Sequence, residues 1–345
     1  MRKLAEPQCP VCTSSGAEAY AGLRDRLFGA PGSWRMVHCV NPRCGIYWLD
    51  PAPDRADLPI AYRGYYTHSQ SDEAQRPEGF RSRVRSAYLS RRLGYPGRTS
   101  IASRLASHLV PLTSERTQSW LYTYFYLPWV KDGRLLEIGC GSGWQLARMK
   151  EAGWTTKGLD FDPAAAQAAR ERGLDVQVGD ARDLGLEPES FDAIVMAHVL
   201  EHVFDPVGLL AECRRLLKPG GRLISITPNG RSLGHRYFKE SWRGLEPPRH
   251  IAVFTIGGLG LACDRAGLTV ERIDVTARDA ANLLLVSSGI RRARGDAQVV
   301  RPSFGRRPPW RQRAVALLER AGIALGFPIG EEMVLTAMKP HVEVE

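Results

Sequence analysis

The stretch LLEIGCGSG, Leu135 to Gly143, constrains this chain more than any other. An apolar run breaks into alternating glycines, the pattern of a strand entering a tight turn whose backbone must come close to a ligand. From Arg134 onward, strand and helix patterns then alternate with short connections. Strands are expected at Arg134–Ile138, Thr155–Leu159, Val176–Val178, Phe191–Met196 and Arg222–Thr227. Helices are expected at Gly143–Ala152, Pro163–Arg172 and Pro206–Leu217, the last closed by Lys218-Pro219-Gly220-Gly221. This rhythm predicts an α/β fold: a parallel sheet covered on both faces, with its ligand at the carboxyl ends of the strands.

The loop excludes two common ligands. A dinucleotide turn ends in a glycine that lets the helix pack closely, but Trp144 stands in that slot. A phosphate loop needs a Lys-Ser/Thr pair, and none follows. Three acids sharpen the reading. Glu137 lies two residues before Gly139, Asp160 ends the second strand in KGLDFDP, and Asp180 ends the third in VQVGDARDL. Carboxylates at three successive strand ends suit an ammonium group, a ribose diol and an adenine amine, the polar handles of S-adenosylmethionine.

With these residues in view, the segment from Gly133 to Pro340 resembles the class I S-adenosylmethionine-dependent methyltransferases. LLEIGCGSG, GLDFDP, GDARDL, FDAIVMAHVLEHVFDP and LLKPGGRLISITPN look like five ordered motifs of that family. The resemblance implies a Rossmann-like, seven-stranded doubly wound sheet with an antiparallel last strand at Met333–Met338. It implies that Glu137, Gly139, Cys140, Gly141 and Gly143 hold the methionine end. Asp160 and Phe161 would meet the ribose side, Gly179, Asp180 and Ala181 the adenine, and His198–Val199 would line the pocket. PPRHIAVFT and VLEHV are further similar to the branch of ubiquinone-biosynthesis O-methyltransferases. Some of that branch bind a divalent ion through an acid-x-x-Glu-His run. Here the run is His198-x-x-Glu201-His202, and a histidine replaces the first acid.

Methyl transfer to a hydroxyl requires alignment and removal of a proton. His250 is the first candidate base, its alternative being a bond to backbone beside the Pro247-Pro248 turn; His198 reads either way, and His202 reads more readily as a structural contact. Asn229, Tyr237, Phe238, Trp242 and Arg243 either shape the acceptor site or pack. The N/D-P-P-Y/F run of adenine amino-methylating enzymes is absent, and AHVL stands in its place.

Near the N-terminus, Cys9-x2-Cys12 and Cys39-x4-Cys44 form two thiol pairs, each with a glycine close behind. Four thiolates on two short turns suit one tetrahedral structural zinc, with no open coordination position. His38 could replace a thiol, but Cys39 is better placed. A redox reading of the first pair would need a thioredoxin-like strand and helix around it, and neither pattern is visible. The expected organisation is therefore a zinc-binding domain over residues 1–68, a helical connector or lid over 69–130, and a methyltransferase domain over 131–345. Within the connector, Pro96-Gly97 and Pro111 break the helices, and SWLYTYFYLPWV (Ser119–Val130) reads as packing.

The 345 residues carry a net charge of +10. Eight arginines and one acid lie between Arg291 and Arg313, and a second basic stretch runs from Arg76 to Arg116. Such runs suit an anionic partner or a solvated face. No apolar stretch approaches the roughly 18 to 20 residues of a membrane span, and the first residues lack a signal-peptide core, so a cytoplasmic protein is expected. The favoured partner is a small-molecule, glycan or natural-product acceptor, anionic in character, for O-methylation. A zinc-containing RNA base methyltransferase and a non-catalytic cofactor-binding adaptor are the alternatives. Nucleic acid is disfavoured because aromatic residues do not interleave with the basic runs. Contact of the Arg291–Arg313 run and the apolar helix Ala314–Leu325 with a membrane surface remains open.

Overall fold

The computed structural model describes residues 7–62, 79–110, 114–293, 300 and 308–341. Its strands are β1 (Gly16–Leu23), β2 (Trp34–Cys39), β3 (Tyr47–Leu49), β4 (Arg134–Ile138), β5 (Thr155–Asp160), β6 (Val176–Val178), β7 (Phe191–Ala197), β8 (Leu217–Pro228), β9 (Ala252–Val253), β10 (Thr269–Thr276) and β11 (Glu332–Met338). They make a four-stranded sheet in the order β1-β2-β3-β9 and a seven-stranded sheet in the order β10-β11-β8-β7-β4-β5-β6. The chain divides into two compact units. The described residues of 1–65, 198–211 and 226–335 form one, and those of 66–197, 212–225 and 336–345 form the other.

In the large sheet, β4 pairs in parallel with β5 on one side and β7 on the other, and β5 pairs in parallel with β6. The order reverses at β4, so the carboxyl ends of β4 and β7 flank a topological switch point. Leu135 and Leu136 are fully buried, as a strand covered on both faces requires. The last strand runs against its neighbour. At one end of β8 and β11 the Gly220 N–H donates to the Lys339 carbonyl and the Lys339 N–H to the Gly221 carbonyl, while Asn229 N–H donates to the Glu331 carbonyl at the other. The fold class read from the sequence is the one observed.

Lys218-Pro219-Gly220-Gly221 is a correction. These residues begin strand β8 rather than close the preceding helix, Pro206–Leu216. Gly220 takes a positive φ of 76° within that strand, and its ladder partner, Lys339, is remote in sequence. Local turn chemistry misled the reading because tertiary pairing overrides it.

Helices Phe80–Leu93, Ile101–His108 and Glu115–Thr123 are broken around Pro96-Gly97, as expected; Pro111 lies outside the described residues. Phe125, Tyr126 and Leu127 beyond them are buried, so the aromatic stretch packs. Gln145 donates to the Tyr122 carbonyl and the Trp129 indole to the Ala152 carbonyl, which ties this stretch to helix Trp144–Glu151.

The small sheet is completed from far along the chain: Tyr47 pairs with Val253 and Trp48 with Ala252. Leu23, Met36 and Leu49 share a core with Phe238, Trp242, Leu245, Val253 and Leu284. The same unit contains a buried guanidinium. Arg249, 1% exposed, donates to both carboxylate oxygens of Asp25, to Glu246 and to the Ala61 carbonyl. Asp25 also accepts from the backbone of Leu27, Phe28 and Ala30. Its carboxyl is desolvated, but the Arg249 guanidinium holds it below the usual range. Removing one partner from such a set strands buried charge. Arg249→Ala is expected to lower unfolding free energy by about 3–5 kcal/mol in urea titrations. A loss below about 1 kcal/mol would show that the network is not structural.

Candidate functional site

Three groups of side chains carry chemistry. The first lies at the carboxyl end of β4. Gly139, Gly141 and Gly143 have φ of 73°, 53° and 78°, so the loop follows a path that side-chain-bearing residues resist. A Cβ on Gly143 would come within 2.4 Å of Leu174 and 3.0 Å of Ala169. Cys140 is buried, and burial pushes its thiol up, away from reactivity.

Glu137 is 4% exposed within β4, and one of its oxygens is buried with no hydrogen-bond partner. Burial, and then the charge of Asp160, push its carboxyl well above the usual range. Asp160 receives the Gly141 N–H at 2.7 Å and the Asp162 N–H at 2.9 Å, one on each oxygen. These two bonds fix the group. Phe161 beside it is 59% exposed. An orphaned buried carboxyl, a fixed acid and an exposed ring fit an ammonium, a diol and an apolar nucleoside face respectively.

Asp180, which the resemblance implies for the adenine amine, already has a partner within the protein. Arg182 grips it in a fork, Nε to Oδ1 at 2.9 Å and Nη2 to Oδ2 at 2.6 Å, and the Arg182 N–H adds a third bond at 3.0 Å. An amine reaching Asp180 would share an oxygen with this guanidinium. Arg182 was not singled out in the sequence, although an arginine two residues after an acid at a strand end is a readable signal. Gly179, with φ of 140°, and buried Ala181 flank it.

The second group is a histidine–carboxylate cluster in the other unit. His198, with the unusual φ of 56°, places Nδ1 at 3.2 Å from Glu201 and Nε2 at 3.1 Å from Glu332. Both nitrogens can donate only in the imidazolium form. Glu201 is fully buried and also accepts from Thr227 at 2.9 Å. Glu332 is desolvated, yet Arg278 and then His198 hold it down at about 2. Neither Glu332 nor Arg278 was legible as a partner, because β11 lies 134 residues beyond His198.

His202 directs Nδ1 at the Arg249 carbonyl, 2.9 Å, and the Tyr62 hydroxyl, 3.0 Å. His250 directs Nδ1 at the Gly244 carbonyl at 2.7 Å, which places a proton on Nδ1, and its Nε2 lies 3.6 Å from a Glu246 carboxylate oxygen. The two rings meet edge to face, 4.8 Å apart. Burial lowers both basicities, that of His250 well below the ordinary value. Glu201, His202 and His250 offer ligand atoms within 4.8 Å of one another, but Glu201 is already committed to His198 and Thr227, and we assign no ion to them. Asn229, Phe238 and Trp242 are buried; Asn229 bonds the Pro328 and Gly330 carbonyls and Trp242 bonds Glu331. Tyr237 is exposed, with Arg291 over its ring.

The third group is the four N-terminal cysteines. Their sulfurs all lie within 4.8 Å of one another, Cys9 to Cys44 at 3.7 Å and Cys12 to Cys39 at 3.4 Å, and none is in a disulfide. Tetrahedral zinc with bonds of about 2.3 Å needs sulfurs about 3.8 Å apart, so the donor set fits that ion. His38 stacks obliquely on Tyr47 and is not of the set. Gly257 and Gly258 let helix Ile256–Arg265 approach the second turn. A Cβ on either would meet the Arg43 carbonyl at 2.2 Å or the Ile46 side chain at 2.1 Å.

Residues 115–273 match the family model described as a methyltransferase domain. A 103-residue segment, 28% of this chain, is 39% identical to the ubiquinone biosynthesis O-methyltransferase of Xanthomonas oryzae pv. oryzae strain PXO99A and covers 43% of it. The enzyme of the same name from Cereibacter sphaeroides is 39% identical over 102 residues, 41% of its length. The similarity thus spans less than half of these curated relatives. Among solved structures, an S-adenosylmethionine-dependent methyltransferase from Mesorhizobium loti aligns over 64% of this chain and 97% of its own, at 20% identity and a TM-score of 0.43. Residues 115–273 thus carry the similarity to S-adenosylmethionine-dependent methyltransferases.

The buried imidazoles set a pH dependence. His202 and His250 have folded-state values below about 6.5, so the unfolded chain binds their protons first as pH falls. Their contribution to stability is present above that value and is lost below it, down to the folded-state values. Denaturation midpoints are expected to fall as pH drops from about 6.5, and His250→Asn to flatten that slope. An unchanged slope in the variant would show that His250 is not held neutral.

Proposed function

We propose that the protein transfers the methyl group of S-adenosylmethionine to a hydroxyl oxygen of a small-molecule or glycan acceptor of anionic character. The observation that carries the cofactor part is Glu137. Its buried, unpartnered oxygen beside Asp160 is a costly arrangement unless a cation is received there. In this reading Glu137 takes the ammonium group, and the Gly139–Gly143 loop with Cys140 passes along the methionine end. Asp160 takes the ribose hydroxyls and Phe161 covers the nucleoside. Asp180, with Gly179 and Ala181, takes the adenine amine through an oxygen shared with Arg182. When bound, the cofactor supplies a methyl group already activated on a sulfonium. The oxygen acceptor rests on the partial similarity to ubiquinone-biosynthesis O-methyltransferases.

The protein's own contribution is alignment and proton removal. His250 is the favoured base, because its Nδ1–H bond to Gly244 orients the ring and burial keeps the imidazole uncharged at neutral pH. His202 stands beside it. His198, held between two carboxylates, serves better as a positioning contact than as a base, and Val199 follows it as pocket lining. The four cysteines hold a structural zinc, and the chain is organised as a zinc-bearing segment (1–68), a helical connector (69–130) and a methyltransferase domain (131–345). The boundary at residue 68 lies outside the described residues.

Calorimetry tests the cofactor reading. Burial and the Asp160 charge favour the protonated Glu137 carboxyl, whereas an arriving ammonium favours its carboxylate, so binding is expected to release protons. The measured heat should then vary with the ionisation heat of the buffer. Glu137→Gln should abolish that variation and weaken binding about 10–100-fold. Absence of heat with either the cofactor or its demethylated product would overturn the reading. Methyl-labelled cofactor offered to phenols, sugar alcohols and amines should label the hydroxyl compounds. His250→Asn should lower that rate about 10²–10⁴-fold with cofactor affinity unchanged. Labelling of amines alone would remove the oxygen assignment.

A further inference from the structure

Helix Trp310–Ala324 is amphipathic in an inverted sense. Its buried residues are Ala316, Glu319 and Gly322, and Ala316 packs on Ala277, Ala280 and Ala281. The face turned to solvent is the apolar one. Trp310 is 72% exposed, Leu317 60%, Leu318 69% and, just past the helix end, Leu325 77%. The 3.6-residue repeat gathers them with Ala314 and Ala321 into one stripe. Exposed Arg311 and Arg313 lie along its two edges. The helix has a single acid, Glu319. It is fully buried and accepts the Glu331 N–H at 2.9 Å, so the outward face carries no negative charge.

Leaving four large apolar side chains in water is unfavourable, and isolated exposed residues do not form such a stripe. The flanking charge selects the occupant. A second copy of this chain, itself at +10, would bring arginine edges against arginine edges, whereas an anionic lipid surface complements both the edges and the stripe. Among the described residues, no helix is long and apolar enough to cross a membrane. This helix, about 22 Å long by rise per residue, suits the interface plane.

We propose that helix Trp310–Ala324 is a membrane-surface contact. It seats Trp310, Leu317, Leu318 and Leu325 among the acyl-chain boundary of an anionic bilayer, with Arg311 and Arg313 at the headgroups.

Sedimentation of the full chain with vesicles tests this. Vesicles of phosphatidylcholine containing phosphatidylglycerol are expected to carry the protein down, increasingly so with anionic fraction and less so at high salt. Phosphatidylcholine alone should leave most of it in the supernatant. The double variant Leu317→Asp/Leu318→Asp should lower the partition coefficient by more than about tenfold. Arg311→Gln and Arg313→Gln should each lower it about fivefold. All four positions are exposed, and unchanged circular dichroism and thermal midpoints would confirm that the variants fold. Failure of the anionic vesicles to carry the wild-type chain would overturn the proposal. So would a double variant that sediments like the wild type. A wild-type dimer that the double variant dissolves into monomers would overturn it too, by naming a second copy as the occupant.

Discussion

Two carboxyl groups, Glu137 and Asp160, sit side by side near the carboxyl ends of neighbouring parallel strands, and much of the surrounding structure answers that fact. Water is excluded from Glu137, so its ionised form is disfavoured both by burial and by the neighbouring charge. Asp160 is stabilised by the Gly141 and Asp162 amides, and the Gly141 bond at the same time pins the glycine loop in its positive-φ path. Loop shape and electrostatics are thus one arrangement.

The other unit manages buried charge in a contrasting way. Arg249 satisfies Asp25, Glu246 and a carbonyl at once, so its charge is matched inside the protein. The adjacent residue, His250, is kept neutral by the same dry surroundings. One short segment therefore holds a permanent cation used for structure next to a buried imidazole. The cis bond between Pro247 and Pro248 precedes both.

Most of the large sheet was legible because its determinants are local. The strand limits Arg134–Ile138 and Val176–Val178 follow from short apolar runs bounded by turn residues, and the four cysteines converge as their spacing implied. What escaped the sequence depends on partners far away along the chain. Lys218–Gly221 has the composition of a helix stop, yet Lys339 draws it into a ladder. Ala252–Val253 is too short to register as a strand and becomes one only against Tyr47 and Trp48. His198 gave no hint that Glu332 and Arg278 would surround it.

The late arrival of β9 has a consequence for biogenesis. Three strands of the small sheet leave the ribosome some two hundred residues before the fourth. At a synthesis rate of roughly 5–20 residues per second, the Tyr47–Leu49 edge stays uncovered for about 10–40 seconds. During that interval the nascent chain presents an open strand and four thiols, a period in which chaperone capture and ion loading compete with misassembly.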